Sequence, residues 1–446
     1  MIRAIAIFFA TAVVVSPMRA SDLEAKIDQI FRAVPDRAPG AAIAVLHDNR
    51  LVLAKAYGMS NIETMAANSP GAIFRLASVT KPFTAIAVLQ LVESGKLNMD
   101  DPLSKYISNY PAAGSVRISH LLHHTAGIPD FAPIDEVKKK PLEFEPGSRL
   151  SYSNNGYQLL GRIIERVSGQ SWSDYLHDHI FQPLGMIHSG FDRTEILPGR
   201  ATGYLFNDGA YSAAPRGDAR DAYSAGGLYS TVDDMVLWVQ ALASGKVLRR
   251  ETIEQSWTPG LLTDGRQTVY GSGWILTSYR GLREIGHGGD ITGFNTYVAL
   301  YPEEKVAIVV LSNAGMRPPG PLPTAADITH KITDIYLGDR LQNIETQPRI
   351  TVAAPILDAY AGRYKVDAPE IVLRNMGSEI VITRQGDRLI AAANGAKLPL
   401  DAHSETTFQA QGSPAQLTFV RDADGKCRKL IVTLMGLREF QALRAD

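Results

Sequence analysis

Strand-like patterns bracket a long helical stretch in this chain, and that order constrains the fold more than anything else in the sequence. "AAIAVLHDNRLVLAKAYG" reads as a hairpin: Ala41 to Leu46, a turn at His47-Asp48-Asn49, then Leu51 to Ala56. Far downstream, "NTYVALYPEEKVAIVVLSN" reads as two more strands joined at Pro302-Glu303-Glu304. The middle of the chain follows a helical period. Pro82 to Val92 is apolar on every side, the mark of a buried helix, and Gly95 ends it. Tyr157, Leu160, Ile164 and Val167 share a helical face that stops at Gly169. Ser173 is placed to cap the next helix, and Ser230 or Thr231 caps one that opens on Asp233 and Asp234. The pattern predicts an α/β (α+β) fold: an antiparallel sheet built from the two flanks, with an all-helical region inserted between them.

The remainder of the chain divides by pattern. Residues 341–354 show no clear period and read as a linker. After Pro355 come short strands with turns at Gln385-Gly386-Asp387 and Asp422-Ala423-Asp424-Gly425. They predict a small β-barrel or sandwich over residues 355–446, with the larger domain over 21–340. Residues 1–20 carry Arg3, an apolar run from Ala4 to Val15, Pro17, and the small residue Ala20. They are expected to be a secretory signal, too short to span a bilayer, with cleavage after Ala20. That places the mature chain in the periplasm or outside the cell, without a membrane span. With 446 residues the core can be large. Cys427 is the only cysteine, so there is no internal disulfide or thiolate metal cluster. A formal net charge of -1 gives no bulk field to draw nucleic acid.

Three short stretches carry residue types suited to acyl chemistry. In "LASVTKPFTA", Ser78 and Lys81 are three apart at the start of the apolar helix, so they share a face. A serine becomes nucleophilic when a base takes its proton, and an amine serves if desolvation lowers its pKa. An unpartnered ammonium there would cost several kcal/mol, so Lys81 must find a partner. In "LSYSNNGY", the phenol of Tyr152 is expected to ionise more easily beside a cation and to shuttle protons, and Asn154 supplies an amide for a lysine head or a substrate carbonyl. In "EIGHGGDITGF", Gly288 and Gly289 admit a close backbone approach beside His287, and the N–H of Asp290 is placed to donate to a substrate carbonyl. Alone, that stretch reads equally as a glycine turn ahead of the strands. His123-His124 has no further ligand at metal spacing, so neither metal nor cofactor is expected.

Taken together, "SVTK", "YSN" and "HGG" resemble the three active-site motifs of the penicillin-binding and class C β-lactamase superfamily of serine hydrolases. "LLHHTAGIPD" (Leu121 to Asp130) is similar to a recurrent segment of that superfamily. The resemblance implies Ser78 as the acylated nucleophile, and Lys81 and Tyr152 sharing the base and acid roles. It implies Asn154 and the His287-Gly288-Gly289 stretch as substrate-binding, and the backbone N–H groups of Ser78 and Asp290 as an oxyanion hole. The substrate would be an amide or ester, either a small molecule or a D-amino-acid peptide of the D-Ala-D-Ala carboxypeptidase or D-aminopeptidase type. An esterase, a weak β-lactamase and an acylated sensor module are the alternatives. His287 stands where a lysine is common, which weakens the case for carboxylate recognition there. "YAGRY" (Tyr360 to Tyr364) opens a region that resembles the lipocalin-like domains of some relatives.

Overall fold

The computed structural model describes residues 20–110, 112–130, 136, 140–193, 195–316, 320–342, 350–368, 372–373, 376–422, 424–434 and 436–445. The expected signal segment lies outside these residues, apart from Ala20, as do residues 343–349 of the expected linker.

The two flanks form one antiparallel sheet. Its strands are β1 (Ala41–His47), β2 (Arg50–Tyr57), β3 (Ile275–Tyr279), β4 (Leu282–Ile291), β5 (Phe294–Tyr301) and β6 (Val306–Ser312), in the spatial order β3-β4-β5-β6-β1-β2. The β1–β2 turn is tight because Asp48 and Asn49 take positive φ (47° and 61°), as such hairpins require. The closing pair is β1 with β6, in register Ala41↔Ser312 to His47↔Val306. Side chains alternate across it. Ile43, Val45, Ile308 and Val310 face helices α1 (Ala20–Phe31) and the C-terminal Ala325–Leu337 helix. Ala42, Ala44, Val309 and Leu311 face the inserted helical region. Both faces are therefore covered, and β1 and β6 read as almost unbroken apolar runs.

The inserted region packs around α2 (Thr80–Glu93), whose residues are buried on every side from Thr80 to Leu89. Phe83 stacks on Trp238 at 4.0 Å between ring centroids. No side chain caps this helix, so packing holds it; each large apolar side chain buried contributes about 1.5–3 kcal/mol. Helix α3 (Asn154–Ser168) is capped by Ser153 and ends at Gly169 in the left-handed conformation. Gly161 on α3 is where α4 (Ala219–Gly226) crosses: a Cβ there would lie 2.2 Å from Ser224 Oγ.

Three local expectations are corrected. Ser171, not Ser173, caps the Trp172–Leu176 helix, because its hydroxyl reaches the Asp174 N–H. His287 to Asp290 is not a turn ahead of the strands but lies within β4, held there by pairing with β5 despite the poor strand propensity of its glycines. After the expected linker comes a helix, Ala354–Tyr360, rather than a strand; Pro355 in its first turn is tolerated because that N–H has no helical partner.

The C-terminal region is a closed barrel of eight antiparallel strands: β7 (Gly362–Asp367), β8 (Glu379–Gln385), β9 (Arg388–Ala393), β10 (Ala396–Ala402), β11 (Thr407–Ala410), β12 (Ala415–Arg421), β13 (Cys427–Leu434) and β14 (Arg438–Arg444). Pairing of β7 with β14 closes it. Tyr364, Phe408, Phe419 and Cys427 lie in its packed core. That is how small barrels of this strand number are filled.

Candidate active site

The turn before α2 is forced into an uncommon shape. Ala77 has φ 48°, a region that costs a non-glycine residue free energy and recurs at functional positions. It opens the 3₁₀ turn Ala77–Val79, which half-exposes Ser78 at the wall of a cleft of about 570 Å³. Strand β4 presses against this turn. A Cβ on Gly289 would meet Leu76 O at 2.2 Å and Thr296 Oγ1 at 2.3 Å, so only glycine fits. Pairing of β3 with β4 stops at Gly286, and the strand continues to Asp290 and Ile291, which line the same cleft as Ser78.

Lys81 is fully buried one turn further on. Its ammonium Nζ donates to Ser78 Oγ (3.1 Å), Asn154 Oδ1 (2.8 Å) and the Ala225 carbonyl (2.8 Å). The kink at Tyr223 in α4 (φ 41°, ψ -130°) precedes that carbonyl, and Ser224 O receives Thr84 Oγ1. Among the described residues no carboxylate ion-pairs with Lys81; its three acceptors are all neutral. Burial lowers its pKa to about 7, against the raising field of the Asp130 carboxylate.

Tyr152 lies against Lys81, whose Nζ sits 4.6 Å from the ring centroid. Burial pushes the phenol well up, and its hydrogen bond with Ser78 only partly offsets this. The expectation of an easily ionised phenol is thereby corrected: the cation lies over the ring face, and desolvation outweighs it. His287 lies beside Tyr152, with ring centroids 6.2 Å apart. Its Nδ1 faces the Gly288 carbonyl (2.7 Å), which can only accept, so Nδ1 carries the proton and Nε2 accepts from Tyr270 OH (2.9 Å). Burial, and then the Lys81 charge, push its pKa down to about 3, so the ring is neutral.

Ser78, Lys81, Tyr152, Asn154, His287, Gly288, Gly289 and Asp290 thus come together around one cleft. Four further participants were given no role at the site by the sequence. Asp130 accepts from the Asn154 N–H (2.9 Å); it ends the "HHTAGIPD" stretch, where its acidic type was a usable signal. His124 is buried among the rings of Tyr152, Tyr157 and Tyr270, and its Nδ1 accepts from the Ser153 N–H (3.1 Å), a scaffold role rather than a metal one. The Ala225 carbonyl is backbone and leaves no side-chain trace. Arg438, from the barrel, donates to Asp130 Oδ2 (2.7 Å).

With this geometry established, similarity to known proteins decides the family. Residues 27–329 match the family described as Beta-lactamase. The chain belongs to the beta-lactamase family. It is accordingly a serine hydrolase of the β-lactamase and penicillin-binding type, and residues 346–444 match a domain of unknown function, DUF3471. The protein flp of Staphylococcus aureus (strain MW2) is 28% identical over 376 residues, covering 78% of this chain and 71% of that one. The octameric penicillin-binding protein homologue from Pyrococcus abyssi shares the fold with a TM-score of 0.64 at 24% identity, over 96% of this chain and 100% of that one. The D-amino acid amidase from Ochrobactrum anthropi SV3 gives a TM-score of 0.63 at 26% identity, over 72% of this chain and 99% of that one. Among the described residues no helix is long and apolar enough to cross a membrane.

Proposed function

We propose that this family member is an exported acyl hydrolase that works through an acyl-enzyme on Ser78. Residues 21–340 would form its catalytic domain and 355–446 an accessory barrel. The observation that carries the reading is the buried amine of Lys81, bonded to the Ser78 hydroxyl and two other neutral oxygens, with a pKa of about 7. A fraction of Lys81 is then neutral near pH 7 and can take the Ser78 proton as Oγ attacks the substrate carbonyl. Tyr152, kept protonated by burial, relays a proton to the leaving amine or alcohol. The N–H groups of Ser78 and Asp290 would hold the developing oxyanion; losing one such donor typically costs about 10²–10³ in rate. Water then releases the acid by the same steps reversed. Asn154 holds Lys81 and substrate, and Gly288 and Gly289 let the substrate backbone lie along β4.

The third motif offers a neutral imidazole where a fixed cation would suit a carboxylate. That favours D-amino-acid amides and esters over β-lactams and over peptides with a free C-terminal carboxylate. The fold shared with a D-amino acid amidase supports the same substrate class. The test runs a D-alanyl p-nitroanilide, a p-nitrophenyl ester and nitrocefin side by side, with fluorophosphonate labelling of wild type and Ser78→Ala. Steady turnover of the first two, slow nitrocefin hydrolysis, and loss of label and turnover in the variant are expected. Full labelling of Ser78→Ala would sink the assignment; one equivalent of product followed by silence would mark a sensor instead.

A further inference from the structure

The barrel's last hairpin reaches the catalytic cleft. Residues 437–439 run antiparallel to residues 150–152, with Ser151 opposite Arg438. The Tyr152 N–H donates to the Leu437 carbonyl (2.9 Å), and the Glu439 N–H donates to the Leu150 carbonyl (3.0 Å). The backbone that presents Tyr152 and Asn154 is thus paired to the start of β14. Arg266 fastens the same strand through Glu439, at 2.8 and 3.2 Å.

Side chains continue the connection inward. Arg438 Nη2 meets Asp130 Oδ2 at 2.7 Å, with the two side chains only 19% and 6% exposed. Asp130 Oδ1 accepts the Asn154 N–H, Asn154 Oδ1 accepts from Lys81, and Lys81 reaches Ser78 Oγ. One unbroken line of polar contacts therefore runs from the barrel to the nucleophile. A mostly buried arginine set on a mostly buried carboxylate is a strong, oriented contact, and such contacts fix the groups they touch.

We propose that the C-terminal barrel is a working part of the active site: Arg438 acts through Asp130 and Asn154 as a positioning residue for Lys81, while residues 437–439 hold the backbone that carries Tyr152. This rests on the reading of Lys81 as the base, and it gives the barrel a role in the chemistry. The groups that face this line are Asp130, Arg438, Glu143, Arg149 and Lys140 at the barrel end, with the neutral rings of His124 and His287 beside Lys81. Asp130 raises the affinity of both Lys81 and Tyr152 for their protons, while Arg438 opposes it at Tyr152 and at Glu143. Removing the guanidinium leaves the Asp130 carboxylate uncompensated and favours the protonated amine. Removing the carboxylate does the reverse.

The test uses the full chain as wild type, Arg438→Gln, Arg438→Lys and Asp130→Asn, with two readouts. The first is hydrogen exchange of the amides at 150–154; Arg438→Gln is expected to speed it about tenfold as the strand opens locally. The second is the pH dependence of fluorophosphonate labelling at Ser78. The acid limb should move up by about half to one unit in Arg438→Gln, return most of the way in Arg438→Lys, and move down in Asp130→Asn. Unchanged exchange in Arg438→Gln overturns the proposal. So does a lowered Tm with the acid limb unmoved in both Arg438→Gln and Asp130→Asn, since that is what a purely structural contact gives. If wild type fails to label, the hydrolase reading falls, and hydrogen exchange still decides whether the barrel holds the Tyr152 strand.

Discussion

Two buried cations lie six residues apart in this chain, and they are treated in opposite ways. Arg75, 5% exposed, has its Nε 2.9 Å from Asp192 Oδ2, at an angle that leaves this oxygen without a linear hydrogen bond. Arg200 Nη1 and Arg216 Nη2 close on the other oxygen at 2.7 and 3.1 Å. Lys81, buried completely, meets only neutral oxygens. A guanidinium cannot shed its proton in a protein, so burying one demands an anion. An amine can, and burial with no carboxylate bonded to it brings its pKa to about 7. Within one short stretch the fold thus fixes one charge for structure and leaves the other free to move for chemistry.

The largest expected effect comes from giving Lys81 what Arg75 has. Asn154→Asp places a carboxylate at the atom that now accepts from Lys81 Nζ. The amine then holds its proton more tightly, and the acid limb of kcat/KM, which in wild type should rise through about pH 7, moves up by about 1–3 units. Protonated lysine is not a base, so the rate at pH 7 falls by about 5- to 500-fold and recovers toward high pH. A pH profile of p-nitrophenyl ester hydrolysis reads both. His287, with a pKa near 3, should add no inflection between pH 5 and 8. A limb that stays near 7 in Asn154→Asp would mean that Lys81 is not the group titrating there.

The converse change takes the anion from the arginines. Asp192→Asn leaves Arg75 buried with two further guanidiniums around it and no carboxylate between them. Breaking a buried pair this way typically costs about 3–5 kcal/mol, measured by urea unfolding. Asp218 also acts on Arg75, so the lower end of that range is expected. The acid limb of the surviving folded enzyme should remain near 7, because Lys81 is shifted by burial and by the Asp130 charge, and neither belongs to this cluster.

How much of this could be read from the residues depended on which kind of group was involved. The hairpin at 41–56 and the strands through Ser312 carry alternation and turn residues, so their existence was legible. So were Ser78 and Lys81, polar at the head of an apolar helix, whereas Tyr152 and Asn154, set among Ser151, Ser153 and Asn155, stood out only through the resemblance of three motifs in order. His287 to Asp290 was ambiguous because its glycines weaken any strand signal, and only pairing with β5 settles it. Ser171 and Ser173 differ as caps by a geometry that composition does not carry. The neutral environment of Lys81 was not legible either: one acceptor is a main-chain carbonyl, and another belongs to a motif far along the chain. Arg438 was hidden for the same reason. Nothing near it in sequence distinguishes it from the other exposed-strand arginines of the barrel, and its partner Asp130 becomes its neighbour only when the barrel docks.

The smallest expected effect separates the members of the arginine cluster. Arg216 touches the same Asp192 oxygen as Arg200, but its side chain is 49% exposed against 19% for Arg200 and 5% for Arg75. Water screens an exposed guanidinium, and an ion pair of that kind is worth about 0–1 kcal/mol. Arg216→Gln should therefore lower unfolding stability by less than about 1 kcal/mol. Removing a third positive charge from around one carboxylate also relieves repulsion with Arg75, whose pKa Arg216 depresses, and this reduces the loss further. A cost as large as that of Asp192→Asn would show that Arg216 is as essential to the cluster as the buried pair, and that exposure does not rank these charges.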